Sequence, residues 1–358
     1  MGTVKFGMVG CGVIAKWHAK AAKASPDAEL AAVTDLREDA ATAFAKQFDV
    51  PTVHGSTREL FADPQIDAVI LAMPVKGRTA LALEALAAGK HVLLEKPAAM
   101  NADEVRQIIA ARGDRHVACC SARHRFLHTA EKATEVVASG RLGPLRVVRG
   151  RATMPAGKPP TSPPPVWRLR KDLNAGGIMS NWGVYDLDYL LGVCGWSLVP
   201  RRVLAQVWSV PQQFENRVAP GSNAETHVTA LVQCEGGTAL TLERGEFMPV
   251  TKDTAWQIIG ERASLRLNLL PDDANQLWLD EADEENGVAS HLILESDEKW
   301  DRAHFGPVSD LAEAIKLGRP PRTSIEQALI VQQITDAIYA SSDAGEAVAI
   351  DEPALASQ

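Results

Sequence analysis

Val4-Lys5-Phe6-Gly7-Met8-Val9 runs directly into Gly10-Cys11-Gly12-Val13-Ile14-Ala15. The first six residues read as a buried strand. The next six form a G-x-G-x-x-A turn that opens a helix over 13–24. Each small residue has a use: Gly10 makes the tight reversal, Gly12 lets a pyrophosphate approach the backbone, and Ala15 lets helix and strand lie close. The free N–H groups and positive end of the helix favour phosphate. Gly10, Gly12, Val13 and Ile14 are therefore candidate dinucleotide contacts.

The rest of the first third supports this reading. Short apolar runs at 30–34, 68–72, 91–94 and 116–120 alternate with helical stretches at 40–48, 57–61, 78–88 and 102–111. That order predicts a doubly wound parallel sheet, an α/β Rossmann domain over residues 1–122. The second strand ends at Asp35, 23 residues beyond Gly12. A carboxylate there suits ribose hydroxyls and repels a 2′-phosphate, so NAD is expected ahead of NADP. Arg37, two residues on, keeps NADP open because it can pair with that phosphate. A glycine turn with a solvated aspartate cap is the bland alternative. The coincidence of strand, turn, helix and acid speaks against it.

With 358 residues, 46% hydrophobic and 23% charged, the chain is long enough for two cores and too apolar for disorder. Its net charge of −8 argues against nucleic acid and anionic membrane as partners. No charged leader and no membrane-length apolar run is visible, and the five cysteines lack C-x-x-C spacing. The expectation is a cytoplasmic protein with no disulfide framework and no metal. The acidic cluster at 281–285 reads as a solvated loop.

After about Ser121 the pattern changes. A helix at 129–139 precedes a strand at 145–151, then a proline-rich loop at 154–165. Hairpins are predicted around Glu235-Gly236-Gly237 and around Gly260-Glu261. Helices near 307–317 and 325–340 close the chain. This predicts an α+β domain over 123–358 with an open antiparallel sheet, the final helices being able to pack back on the first domain. One sheet face would cover the active site. The other, if apolar, would join subunits into a homodimer or homotetramer.

Glu95-Lys96-Pro97 follows the strand at 91–94, at the carboxyl end where such sheets bind ligands. Hydride transfer from a carbinol needs a group to take the hydroxyl proton. A lysine beside a cationic nicotinamide has its ammonium form disfavoured, which suits it to that task. A surface lysine capping a loop would look the same.

Taken together, Gly10–Ala15, Glu95-Lys96-Pro97, Arg125-Phe126, Trp167-Arg168 and Ala175-Gly176-Gly177 through Asp188 resemble the glucose–fructose oxidoreductase / inositol dehydrogenase / rhizopine-catabolism family (Gfo/Idh/MocA) over nearly the whole chain. The resemblance implies a catalytic and substrate-orienting role for Lys96, with Glu95 beside the cofactor. It also implies an NAD(P)-dependent oxidoreductase acting on a sugar, inositol or related polyol. Two departures stand out. The family's Asp, Gly, His and Asp positions are Asn181, Gly183, Tyr185 and Asp188 here, so the usual acid–base histidine is a tyrosine. Tyrosine can still give and take a proton, its pKa near 10 being lowered by a neighbouring ammonium. Asn181 can orient a hydroxyl but cannot ionise. Tyr185 can equally be a buried core tyrosine. In the second departure, Met73-Pro74-Val75 and then Arg78 replace T-P-N and then histidine. Pro74 can shape the wall beside the nicotinamide. Arg78 either reaches cofactor phosphates or is solvated at a helix start.

Trp167 and Trp182 suit the C–H face of a sugar ring or a hydrophobic core equally well. Arg168 can bind a hydroxyl or a carboxylate. Asp188 would hold the substrate or the helix carrying Tyr185, and His18 is expected to be structural. The alternatives to a dehydrogenase are an enzyme that cleaves glycosides by transient oxidation, an aldose oxidoreductase that recycles held cofactor, and a non-catalytic NAD sensor or scaffold.

Overall fold

The computed structural model describes residues 2–162, 164–270 and 275–350. In chain order the first part contains β1 (Val4–Val9), α1 (Val13–Ala24), β2 (Ala28–Thr34), α2 (Glu38–Phe48), β3 (Thr52–Val53), α3 (Thr57–Ala62), β4 (Ala68–Leu71), α4 (Arg78–Ala87), β5 (His91–Leu94), α5 (Ala102–Ala111) and β6 (Val117–Cys119). Then come α6 (His128–Ala138), β7 (Leu145–Pro155), α7 (Lys171–Asn174), α8 (Val184–Val193), β8 (Pro200–Trp208), β9 (His227–Cys234), β10 (Ala239–Met248), β11 (Asp253–Gly260), β12 (Ala263–Leu267), β13 (Asn275–Asp283) and β14 (Gly287–Ser296). The chain closes with α9 (Trp300–Leu317), α10 (Ile325–Ala344) and β15 (Val348–Ala349).

The chain divides into two compact units. One comprises residues through Arg123 together with Trp300–Leu329, and the other His124–Lys299 together with the chain from Ile330 on. In the first unit six parallel strands run β3-β2-β1-β4-β5-β6, the doubly wound order. Buried on both faces, β1 and β4 are nearly continuous apolar runs, as a covered parallel sheet requires. Phe6, Met8, Ile70 and Leu93 pack with Ala15, Ala19 and Ala22 of α1 and with Val308 and Leu311 of α9. The alanines let α1 lie close to the sheet, and α9 covers the same layer. The Cys119 N–H donates to the Thr323 carbonyl at 2.8 Å, tying the segment before α10 to the β6 edge.

The second unit is built on a nine-stranded sheet, β14-β13-β12-β11-β7-β10-β9-β8-β15. It differs from the expected antiparallel sheet at one pairing: β7 lies parallel to β10, with Val147 opposite Ala239 and Arg151 opposite Glu243. A parallel neighbour needs a long crossover, and α7, α8, β8 and β9 supply it. The apolar α8 is buried along its whole length. Gly150 of β7 lets Leu190 approach, since a Cβ there would stand 3.0 Å from its Cδ1.

Two further expectations are corrected here. The acidic run at 281–285 is not all loop: β13 continues to Asp283, and Glu281 accepts from Arg141 Nε at 2.7 Å. The pleat of β13 presents alternate side chains to solvent, so an acidic strand end resembles a loop in sequence. The expected proline-rich loop begins within β7, because Met154 and Pro155 complete that strand against β10. All five cysteines are free thiols. No helix among the described residues is long and apolar enough to cross a membrane.

Candidate active site

Within the first unit, the β1–α1 turn has the properties of an anion cradle. Gly10 sits at φ +92°, and a Cβ there would stand 2.6 Å from the Ala72 carbonyl oxygen, so only glycine fits. Gly12 differs: an added Cβ would meet no protein atom within 4 Å. Packing does not demand a glycine at that point, whereas close approach of a ligand does. Gly12 begins α1 without a side-chain cap, and the first turn carries no acid, so its N–H groups keep their capacity for phosphate. Asp35 braces the turn from the end of β2. One carboxylate oxygen accepts the Cys11 N–H at 2.8 Å and the other the Arg37 N–H at 2.9 Å. Beside it opens a cavity of about 570 Å³ lined by Gly10, Gly12, Asp35, Leu36, Ser56 and Pro74, among others. These residues fit a dinucleotide. The Arg37 guanidinium donates instead to Asp39 at 3.1 Å on the surface. Burial and the charge of Asp35 push the Cys11 thiol up to about 12, so it stays protonated.

Lys96 stands half-buried at the end of β5, held from two sides. From below, Glu95 is 5% exposed. It accepts from Arg123 Nη2 at 2.7 Å, pairs with His18 Nε2 at 3.0 Å, and accepts the Lys96 backbone N–H at 3.1 Å. Burial would raise its pKa, but Arg123, then His18 and Lys96, hold it well below the usual carboxylate range. Glu95, expected beside the cofactor, is thus turned inward, where it fixes the main chain of Lys96. Arg123 continues the network to His304 Nδ1 at 2.9 Å, and the His304 ring stacks on Trp17 at 4.4 Å. Burial, then Arg123, lowers the His304 pKa to about 3, leaving it neutral. Donor atoms of His18, Glu95 and Cys120 lie within 4.8 Å of one another, close enough for a metal ion. Arg123 already neutralises Glu95, however, and burial raises the Cys120 thiol well above its ordinary value. The group therefore reads as a hydrogen-bonded charge network.

From the other side Lys96 is framed by Arg78. Both sequence readings of this residue, phosphate contact or solvated helix start, are overturned, because Arg78 is 2% exposed. Its guanidinium donates to the Glu95 carbonyl at 2.5 Å, and to the carbonyls of Pro97 and Met73. One side chain thus joins the segment after β4, which carries Pro74, to both neighbours of Lys96.

In the second unit a π-helical stretch, Met179–Gly183, leads into α8. Asn181, Trp182, Tyr185 and Asp188 lie on this continuous segment. Tyr185 is 6% exposed, with edge-on ring contacts to His124 at 4.9 Å and to Trp182 at 5.7 Å. Asn181 donates to the Arg168 carbonyl at 3.1 Å, and Asn174 donates to the same carbonyl and to Asn181 Oδ1. Asp188 is buried and accepts Arg125 Nε at 2.6 Å, so it holds the helix. Trp167 stands 41% exposed on the 3₁₀ turn Val166–Leu169. Trp182 has the Arg244 guanidinium over its ring at 4.7 Å.

The start of this segment is fixed by two residues the sequence did not reveal, Glu225 and Tyr339. The buried Glu225 carboxylate accepts N–H groups from Gly177 and Met179, at 2.9 and 3.0 Å, and the Tyr339 hydroxyl at 2.9 Å. Burial raises its pKa against the pull of these donors. A Cβ on Gly177 would overlap the Glu225 carbonyl oxygen, and one on Gly176 the Tyr339 hydroxyl. In the sequence the glycine pair served only as part of the family resemblance, and its partners lie too far along the chain to be inferred.

Comparison with known proteins agrees with both halves. A family model described as "Oxidoreductase family, NAD-binding Rossmann fold" matches residues 4–123. A second, "GFO/IDH/MocA C-terminal domain", matches residues 130–266. Myo-inositol 2-dehydrogenase of Thermotoga maritima is 23% identical over 98% of this chain and 99% of its own length. D-xylose 1-dehydrogenase (NADP(+)) 2 of Haloferax volcanii is 28% identical over 97% and 99%. A solved levoglucosan dehydrogenase, in complex with NADH and L-sorbose, shares the fold at a TM-score of 0.84, with 19% identity over 98% and 99% of the two chains.

Proposed function

Because the chain belongs to the Gfo/Idh/MocA family of NAD-binding oxidoreductases, we propose that it moves a hydride between NAD and a carbinol carbon of a sugar, an inositol or a related polyol. The uncapped glycine cradle, set in the same sheet as the doubly anchored Lys96, carries this reading. The relatives whose names give polyol and sugar substrates support the substrate class.

A bound NAD supplies the hydride acceptor; this chain's residues have to manage the proton. Oxidation of CH–OH to C=O releases one hydride and one proton. Lys96 takes or steers that proton with its amine, and Tyr185 with its phenol, each a group that both donates and accepts. Asn181 orients a hydroxyl, Trp167 and Trp182 receive the remainder of the substrate, and Arg168, offered to it by the sequence, is engaged by Glu246 instead. Asp35 receives the ribose hydroxyls of the adenosine half.

The test is a panel of sugars, inositols and dihydrodiols assayed with NAD and NADP in parallel. NAD-linked turnover of at least one neutral polyol is expected, with NAD preferred over NADP by about tenfold or more, equivalent to about 1.4 kcal/mol. Asp35→Ser should narrow that preference by removing the like charge facing a 2′-phosphate. NADH binding without turnover across the panel would leave a sensor. Release of free sugar without net NADH would point to glycoside cleavage.

We also place a second copy of the chain on the open face of the nine-stranded sheet. Leu204, Trp208 and Leu231 stand there 50%, 45% and 45% exposed, more apolar side chain than a free sheet face ordinarily shows. Light scattering should give a dimer or tetramer mass, and Leu231→Glu should reduce it. A monomeric wild type rules the placement out.

A further inference from the structure

The arginine that sequence reading offered to the substrate already has a partner. Arg168 Nη2 donates to Glu246 Oε2 at 2.6 Å, and both side chains are largely shielded from solvent. The same pattern recurs around the segment that carries Tyr185. Arg125 meets Asp188 at 2.6 Å, and Arg244 lies 3.6 Å from Asp186, which also accepts the Trp256 indole N–H at 2.8 Å. Three guanidiniums face three carboxylates. The Arg168 main chain is bound by Asn181, one helical turn before Tyr185, so the arginine's backbone is anchored to the segment that carries the phenol. Glu246 keeps one buried oxygen, Oε1, with no hydrogen-bond partner among the described residues. Glu246, Trp182, Arg244, Met154 and Phe247 wall a cavity of about 220 Å³.

We propose that Glu246 sets the charge of the substrate: by engaging Arg168 it makes this unit select uncharged polyhydroxylated molecules and reject carboxylates and phosphates. This deepens the oxidoreductase reading above and rests on it. A free guanidinium in a shielded wall is a strong anion receptor, because its planar fork matches carboxylate and phosphate oxygens. Paired at 2.6 Å, it presents little net charge. An incoming anion must break the pair and also meet the Glu246 carboxylate. A hydroxyl faces neither cost: it can donate to a carboxylate oxygen that still has acceptor capacity, while the C–H face of a ring lies on Trp182. No short motif announces the pair, since its members lie 78 residues apart.

The experiment compares myo-inositol, D-xylose and D-glucose with inositol monophosphate, xylonate and gluconate. Calorimetric binding to NADH-loaded protein and turnover with NAD are measured side by side. Wild type should bind the neutral member of each pair about tenfold or more tightly. Glu246→Gln, which frees the guanidinium, should shift that ratio toward the anion by about tenfold or more. The double variant Glu246→Gln, Arg168→Gln carries neither charge and should return to neutral preference. That return separates a charge effect from damage to the fold. The assignment fails if Glu246→Gln leaves the ratio within about twofold, a margin well inside that coupling. It also fails if the wild type favours anions, or binds none of the neutral compounds. Binding of neutral compounds without turnover would instead sink the hydride-transfer reading, while the binding ratios still decide the role of Glu246.

Discussion

Lys96→Met is expected to lower kcat by about 10³-fold, within the range for loss of a positioned acid–base group. NADH affinity should stay within about threefold, a change of less than 1 kcal/mol. The two readouts separate because the cradle is built at the β1–α1 turn from Gly10, Gly12 and Asp35, whereas Lys96 follows β5. Methionine preserves length and much of the apolar packing, so the comparison isolates the amine. Tyr185→Phe should give a smaller loss, because edge-on ring contacts with His124 and Trp182 survive and only the hydroxyl is removed. Steady-state kinetics on the best substrate from the panel, with a fluorescence titration of NADH, checks both variants. Near-normal turnover by Lys96→Met would remove the amine from the reaction.

The second large effect is expected at Arg78. Arg78→Met leaves the carbonyls of Met73, Glu95 and Pro97 without their shared donor. A hydrogen bond from a charged donor is worth about 1.5–3 kcal/mol net, and here the desolvation of a buried guanidinium offsets part of the sum. We expect a loss of about 3 kcal/mol in unfolding free energy. Turnover should fall by about 30-fold, because a misplacement near 1 Å at a reacting group costs on the order of 10²-fold. Arg78→Lys should recover part of the stability and little of the turnover, since a compact ammonium does not reproduce the planar fork by which two guanidinium nitrogens reach three carbonyls. Denaturant unfolding and kinetics on the same preparations decide the matter. Wild-type turnover in Arg78→Met would show that the loop after β5 holds Lys96 without help.

The first unit was largely legible in the sequence because its signals are local. Strand, glycine turn, helix and acid fall within about thirty-five residues, and the apolar runs of a covered parallel sheet stand out from the alanine-rich helices. What escaped depends on distant or atypical partners. Arg78 was misjudged because arginine is usually exposed; only the three carbonyls that converge on it reveal the exception. Glu95 was expected to face the cofactor, but Arg123 and His18 draw it inward, and neither is adjacent in sequence. Glu225 reaches Gly177 across 48 residues and Tyr339 across 114. The parallel pairing of β7 with β10 follows from a crossover whose route no periodicity encodes. Bringing Asn181, Tyr185 and Asp188 together rested on the family resemblance, whereas the hold of a buried carboxylate on the start of that segment needed the fold.

The double glycine against Glu225 and Tyr339 also tells an engineer where this scaffold will accept change. From Gly177 to Met179 the backbone donors are already claimed, and a side chain added at Gly176 or Gly177 collides, so libraries aimed there would return mostly collapsed proteins. Tolerance should be concentrated along the proline-rich approach, where Val166 and Trp167 lie open to solvent. Retargeting to new polyols would begin there, with the tyrosine-bearing helix left as it stands.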